Sequence, residues 1–141
     1  MKHILAIAVG ALLLLCACSY PTLAATPGPL VSELAMLTGP NARQCGLVQL
    51  GEDPTDAWKC ALAADSSDTP HWFAMQRQGI DSEAWVASLL APSGERFILT
   101  YDSNYMGGPG LLPRFIRDTC AGRVVLTPTA NAGLQCRRQE P

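Results

Sequence analysis

The side chains best suited to hydrolytic chemistry stand at the ends of strand-like segments. Ser82 and Ser103 each follow an aspartate, Asp81 and Asp102, and His71 is the one histidine beyond the N-terminal leader. A serine nucleophile, a histidine base and an orienting aspartate together form a hydrolytic site. The sequence has no G-x-S-x-G turn to present the serine, and Asp and Ser also stabilise turns by bonding their own backbone. We therefore interpret both pairs as turn residues and keep a small hydrolase as the alternative.

Other catalytic or metal-binding patterns are weak. The carboxylates of Asp81, Glu83 and Asp102 could serve glycosidic cleavage or calcium binding, but no D-x-D-x-D-G loop is present and the short chain leaves little room for a deep cleft. The run Gly107-Gly108-Pro109-Gly110 lacks the Lys-Ser/Thr of a phosphate-binding loop. No two cysteines beyond the leader show the C-x-x-C spacing of a zinc site. We expect no cofactor, no metal and no enzymatic activity.

Apolar residues beside the glycine loop suggest a contact surface. Large side chains on a glycine-rich loop suit binding, although they could equally cap the core. Trp72 has the opposite strand parity to Phe73 and Met75, which predicts that one of the two faces is either partly exposed or covered by another element. If Trp72 is exposed, it is a candidate binding residue beside His71. Tyr105, Met106, Leu111 and Leu112 flank the glycine loop. The candidate binding residues taken from the whole chain are Trp72, Tyr105, Met106 and Leu111.

The N-terminus reads as an export signal. Lys2 and His3 precede a charge-free apolar run over residues 4–15. That run is shorter than the roughly 20 residues a membrane span needs, and small residues follow it, as in a secretory signal peptide.

The end of this leader, Leu15-Cys16-Ala17-Cys18, resembles the lipobox of bacterial lipoproteins. The resemblance implies that Cys18 is acylated and becomes the first mature residue. Cys16 departs from the motif, because Ala or Ser is usual there. Ser19 in place of Asp points to the outer membrane, facing the periplasm. The alternative is ordinary cleavage near Ala24 or Ala25.

Four cysteines remain beyond the leader, and an even number in an exported chain predicts two disulfides with three connectivities open. A strand after Cys45 and a returning helix that contains Cys60 would bring these two together. We therefore predict Cys45–Cys60, which leaves Cys120–Cys136.

Hydrophobic periodicity predicts an α+β domain with one helix packed on a mostly antiparallel sheet of about four to five strands. The main helix is expected over 54–65, starting at Asp53 as N-cap, and a short helix over 30–37. Residues 91–95 suit a hairpin turn, and 113–120 suggest one or two helical turns. Strands are expected over 46–50, 71–78, 83–90, 96–101, 123–127 and 134–136.

The chain of 141 residues then divides into a signal peptide (1–17), a tether (18–29) and one domain (30–141). Its net charge of −2 and the lack of a basic stripe argue against nucleic acid as a partner. We expect a non-enzymatic module that binds an envelope or secreted protein, in its sharper form an inhibitor or immunity protein of a secreted hydrolase. The alternative is a periplasmic hydrolase that uses His71 with Ser82 or Ser103.

Overall fold

The computed structural model describes residues 28–108, 112–127 and 133–137. Within these ranges the chain forms two helices and seven strands. In chain order they are α1 (Pro29–Thr38), β1 (Arg43–Val48), α2 (Thr55–Ser66), β2 (His71–Arg77), β3 (Ala84–Leu90), β4 (Arg96–Asp102), β5 (Arg114–Cys120), β6 (Val124–Thr127) and β7 (Gly133–Cys136).

Five strands form one sheet in the order β1-β2-β3-β4-β5, and β6 and β7 form a separate hairpin. Strands β2 to β5 pair antiparallel in unbroken register. Strand β1 pairs parallel with β2, which the intervening helix α2 permits because a parallel pair needs a long crossover. The predicted α+β class and mostly antiparallel sheet are confirmed.

Both faces of the sheet are covered, so the core has two halves. On one face Leu30 and Leu34 of α1 pack against Trp72, Trp85 and their neighbours. On the other face α2 and the β6–β7 hairpin cover Phe73, Met75, Val86 and Ile98, among others. Burial on two sides explains why β3 reads as a nearly continuous apolar run, AWVASLL, and not as a clean alternation.

Both predicted disulfides are present. Cys45–Cys60 ties β1 to α2, and Cys120–Cys136 ties β5 to β7. The sequence separations are 15 and 16 residues, for which the chain-entropy model gives about 3 kcal/mol of stabilisation each. The two covalent links therefore join the two edge strands of the sheet to elements that cover one of its faces, β1 to α2 and β5 to the β6–β7 hairpin.

Two local predictions need correction. The segment expected to form helical turns, 113–120, contains β5, which pairs residue for residue with β4; tertiary pairing overrides its mixed local pattern. Helix α2 begins at Thr55, with Pro54 in the N-cap position. Asp53 lies one residue before the N-cap and forms a turn that leads into the helix, because its Oδ1 accepts hydrogen bonds from the Thr55 N–H at 2.9 Å and hydroxyl at 2.6 Å. These bonds lower the pKa of Asp53.

Candidate functional site

Three connections lie together at one end of the five-stranded sheet. They span residues 49–54 (β1 to α2), 78–83 (β2 to β3) and 103–113 (β4 to β5). The register places Arg77, Ala84, Asp102 and Arg114 side by side along the sheet, so these connections must leave from the same side. We call this side the loop end. The opposite side, with residues 39–42, 67–70 and 91–95, is the turn end.

Large exposed apolar side chains are concentrated at the loop end. Ile80 is 90% exposed and Met106 71%. The full loop-end group is Leu50, Ile80, Tyr105, Met106 and Leu112. The group extends across the sheet from the β1 side to the β5 side, which is about 19 Å for four strand spacings. Among the described residues of the turn end, no large apolar side chain is exposed.

Ile80 projects from a tight turn whose shape depends on its neighbours. A Cβ atom on Gly79 would lie 2.2 Å from the backbone oxygen of Ser82, so glycine is required by close approach of the chain to itself. Asp81 adopts a positive φ of 57°, a conformation that Asp tolerates better than most residues. The turn thus closes below Ile80 and leaves its side chain in solvent.

The β4–β5 connection is fastened to the neighbouring turn. The Ser103 hydroxyl accepts a hydrogen bond from the Glu83 N–H at 2.8 Å, and the Ser103 N–H donates to the Glu83 carbonyl at 2.9 Å. Ser103 is therefore a structural link in this arrangement. The Tyr105 N–H donates to the Leu112 carbonyl at 3.2 Å, which closes the base of the loop.

The ring of Tyr105 is held by a cation–π contact. The guanidinium carbon of Arg114 lies 4.0 Å from the ring centroid, within the range of a favourable interaction. Asn104, beside it, is buried and donates from Nδ2 to the Gly108 carbonyl at 3.3 Å. These contacts fix Tyr105 on the loop while half of its surface remains accessible.

A cavity of about 390 Å³ opens between the first loop and the end of β2. Its wall is braced by the Leu50 N–H, which donates to Gln76 Oε1 at 3.1 Å, and by the Gln49 N–H, which donates to Glu52 Oε2 at 2.7 Å. The lining mixes apolar and amide side chains with Arg77 and comprises Val48, Gln49, Leu50, Gly51, Glu52, Pro54, Met75, Gln76, Arg77 and Gln78. The loop end therefore offers a recess beside its projecting side chains.

The residues of the alternative hydrolase site are not brought together. His71 begins β2 opposite Leu90, whereas Asp102 ends β4 opposite Ala84 at the other side of the sheet. Six residues of strand separate these positions, which is about 20 Å. Ser103 follows Asp102, and Asp81 and Ser82 lie in the β2–β3 turn at that same far side. No hydrogen-bonded triad can form over this distance.

His71 instead occupies a buried position at the turn end. It is 3% exposed, and its Nδ1 lies 2.9 Å from the Thr69 carbonyl oxygen. Burial is the main cause that lowers the pKa of His71; Arg96 acts in the same direction, while the Thr69 carbonyl and Asp65 oppose it. Asp65 is in turn bound by Arg96 Nε at 2.6 Å and Arg123 Nε at 3.1 Å. The surroundings are those of a packed structural histidine.

The carboxylates near the loop end are also engaged in local structure. Glu83 Oε1 accepts a hydrogen bond from Trp85 Nε1 at 2.7 Å, and Asp102 Oδ1 accepts from the Asn104 N–H at 2.9 Å. Burial raises the pKa of Tyr101, and the charges of Glu83 and Asp102 raise it further. Within the described parts of the chain, no group of three potential metal ligands is found.

Of the predicted binding residues, Tyr105 and Met106 are exposed at the loop end. The prediction for Trp72 is wrong: it is 4% exposed, because α1 covers its face of the sheet. Leu111 and Cys18 lie outside the described residues. Leu50 and Ile80 were missed, although an isoleucine between Gly79 and Asp81 in a turn was a usable signal.

No helix among the residues described is long and apolar enough to cross a bilayer. The sequence matches no protein-family model, and neither the curated proteins nor the solved structures give a significant match.

Proposed function

We propose that this chain is an exported envelope protein, tethered by a lipid on Cys18, whose domain binds another protein through the loop end and catalyses no reaction itself. The observation that supports this most is the group of five large apolar side chains on three loops at one end of the sheet. Scattered apolar residues are ordinary on any surface, but their concentration at one place is typical of a docking site.

Hydrogen bonds and a cation–π contact hold the described parts of these loops in place, which favours binding. Ser103 and Glu83 join two of them, and Arg114 holds the Tyr105 ring. Gly79 allows the turn that displays Ile80 to close tightly. Side chains that are already ordered lose less entropy when a partner binds. Ile80, Tyr105 and Met106 are therefore the expected energetic centre of the interface.

Charges around the apolar group indicate the chemistry of the partner. Carboxylates outnumber guanidinium groups at the loop end, with Glu52, Asp53, Asp81, Glu83 and Asp102 against Arg77 and Arg114. Complementary potentials speed association and suppress wrong partners. We expect an apolar site on the partner that is bordered by lysine or arginine side chains. The same excess of carboxylates disfavours nucleic acid.

In its sharper form the proposal is that the domain blocks a secreted hydrolase, as an inhibitor or immunity protein. The exposed apolar side chains of Leu50, Ile80 and Tyr105, carried by a small disulfide-linked domain, are suited to entering an enzyme cleft. The proposed location on the periplasmic side of the envelope, with an outer-membrane anchor, would place the domain in the path of such an enzyme.

Site-specific photocrosslinking in intact cells tests the docking surface. A benzophenone amino acid replaces Ile80 in the full chain, and a matched variant carries it at Ser93, which is exposed at the turn end. We expect one dominant crosslinked protein with the probe at position 80 and none at 93. After its identification, the purified partner should lose affinity for an Ile80→Asp chain, and a hydrolase partner should be inhibited by the unaltered chain.

Two results would count against the loop end as the docking surface. One is crosslinking of the same proteins at equal yield from both positions. The other is the absence of any crosslinked protein from position 80 while the chain accumulates in the envelope with its two disulfides formed.

The proposed anchor is tested by labelling cells with an alkyne analogue of palmitate. Label should enter the unaltered chain and a Cys16→Ala variant, and it should be lost in Cys18→Ala. An unlabelled mature chain that starts near Ala25 would show ordinary signal cleavage instead and would leave the binding proposal untouched.

A further inference from the structure

The two edges of the sheet differ in how they are protected. Strand β1, at one edge, contains a register shift between Gln44 and Leu47, has Gly46 at a φ of 116°, and is tied to α2 by Cys45. Bulges of this kind twist an edge away from further pairing. Strand β5, at the other edge, has seven consecutive residues in unbroken register with β4. In the described part of the chain, no strand pairs with its outer side.

The outer side of β5 is accessible. Its residues 114 and 116–119 are exposed, and Ile116 is 38% exposed. In a strand paired on one side only, every second residue turns its N–H and C=O away from the sheet. Such a row of unpaired groups is a template for another strand. Charged residues on an edge usually discourage this, and β5 carries three, Arg114, Arg117 and Asp118.

The order of these charges is compatible with a copy of the same strand. Arg114, Ile116 and Asp118 share one face of β5, because side chains alternate along a strand. Two β5 strands that run antiparallel about a twofold axis at Ile116 would place Arg114 of each copy opposite Asp118 of the other. Ile116 would then face its own counterpart. Directly opposed unlike charges and apolar pairs both stabilise a sheet.

The second face of β5 is complementary in the same register. Phe115 of one copy would lie opposite Arg117 of the other, a pairing of ring and guanidinium that is favourable. Arg117 already lies 5.4 Å from the Phe97 ring within its own chain. Shifting the axis to Arg114, Arg117 or Asp118 would oppose two like charges, and shifting it to Phe115 would place Arg114 opposite Ile116 with no unlike charge to meet it. The register centred on Ile116 is therefore the one that pairs Arg114 with Asp118.

We propose that a second copy of this chain pairs with β5 through this antiparallel register and makes one continuous ten-stranded sheet. The partner is a copy because the strand carries its own complement: unlike charges at 114 and 118 and an apolar residue at the centre. Since the two strands run in opposite directions, the two loop ends point away from each other and both stay accessible. The inference does not rest on what the loop end binds, although Arg114 belongs to both surfaces, since it contacts the Tyr105 ring in its own chain.

Disulfide trapping in the full chain tests the register. Ile116→Cys places two thiols opposite each other at a Cα separation of about 4.5–5.5 Å, within disulfide range. We expect a covalent dimer after mild oxidation of intact cells, visible without reductant and reversed by it. Two differently tagged copies, expressed together, should both be present in this band. The unaltered chain gives the background from its own cysteines.

Thr119→Cys is the matched control, because Thr119 is exposed on the same strand but would lie about 20 Å from its counterpart. It should not form the dimer. Arg114→Cys and Asp118→Cys should each fail alone, and should form a mixed dimer when expressed together. A mixed dimer that forms only from these two variants together would show which residues face each other, and not only that the two strands are close.

Charge exchange separates pairing from folding. In the Ile116→Cys background, Asp118→Arg should reduce dimer yield on the order of tenfold, since two attractive contacts become repulsive. The combined change Arg114→Asp with Asp118→Arg should restore the yield. Equal trapping from Thr119→Cys, a band that contains a different protein, no response to Asp118→Arg, or no dimer from a chain with both native disulfides formed would each overturn the proposal.

Discussion

The two ends of the sheet carry different kinds of side chains. The loop end exposes five large apolar residues on three connections. The turn end holds a buried histidine and a carboxylate between two arginines, Asp65 with Arg96 and Arg123. The loop end therefore exposes apolar surface to water, whereas the turn end pairs its buried polar groups with one another. In this fold the exposed apolar side chains lie at one end of the sheet and the buried polar network lies at the other, one strand length away.

The largest expected effect is the loss of partner binding when the loop end is altered and the fold is kept. Replacing Ile80 and Met106 together by Asp should weaken partner binding on the order of a hundredfold, because central apolar contacts at interfaces contribute about 2 kcal/mol or more each and are not additive. Titration calorimetry with the identified partner measures this change. The thermal midpoint should stay unaltered, because both side chains are largely in solvent.

Met36→Asp is the control, since Met36 is an exposed apolar residue on α1, away from the loop end. It should bind normally. Equal weakening by Met36→Asp would mean that any added negative charge impairs binding and that the loop end has no special role.

The next largest effect is a loss of stability when the ion pairs of the turn end are removed. Asp65→Asn removes the negative charge shared by Arg96 and Arg123 and should lower the free energy of unfolding by about 2 kcal/mol. This figure is below that of a fully buried pair because both arginines reach solvent. Urea denaturation gives the value. Partner binding by the folded protein should not change.

Asp68→Asn serves as the reference, because its carboxylate also contacts Arg96, at 3.3 Å, but is mostly exposed. A loss of about 0.5 kcal/mol is expected. If the two substitutions cost the same, the ion pairs of the turn end would have no special part in stability.

Two glycine substitutions, one at each end of the sheet, compare the two ends directly. Gly79→Ala at the loop end should cost about 1.5 kcal/mol, because the new Cβ collides with the backbone oxygen of Ser82. It should also weaken partner binding by moving Ile80. Gly94→Ala at the turn end meets open space and is opposed only by a φ of 86°, so about 1 kcal/mol is expected.

Both measurements are needed for this pair. Unfolding alone would report strain at either site, whereas only Gly79→Ala should change affinity in the folded protein. Normal affinity in Gly79→Ala would show that the position of Ile80 does not contribute to binding.

Sequence reasoning succeeded where the decisive interactions are local. The hairpin turn over 91–95 forms between β3 and β4, with the Ala91 N–H donating to the Glu95 carbonyl at 2.9 Å. The disulfide Cys45–Cys60 follows from a strand and a helix that are adjacent in the chain. In both cases a few neighbouring residues determine the geometry.

It failed where distant elements decide. Strand β5 lacks clean alternation because it is an edge strand with most side chains exposed, and only its pairing with β4 defines it. The burial of Trp72 depends on α1, more than thirty residues earlier in the chain. The loop-end group combines three connections that are far apart in sequence, so no single window of residues could reveal it.

The smallest expected effect concerns His71 and the pH dependence of the turn end. Burial lowers the pKa of His71 below its ordinary value of 6.5. As pH falls through 6.5 the unfolded chain takes up a proton that the folded chain resists, so the free energy of unfolding decreases. The contribution of neutral His71 to the free energy of unfolding is fully present above pH 6.5. It decreases as the pH falls from 6.5 to the lowered pKa of the folded state. Asp65 and Arg96 act on His71 with opposite signs and do not change this direction.

Urea denaturation between pH 7 and pH 5 measures the effect, with His71→Asn as the comparison. Asn can still donate a hydrogen bond to the Thr69 carbonyl from the position of Nδ1, which lies 2.9 Å from that oxygen, but it cannot take up a proton. The variant should lose the pH dependence over this range even if its overall stability is lower. Asp53 does not interfere, because its pKa is lowered from 3.8 and it remains ionised throughout. If the free energy of unfolding of His71→Asn depends on pH as strongly as that of the unaltered chain, another group causes the acid sensitivity and His71 does not.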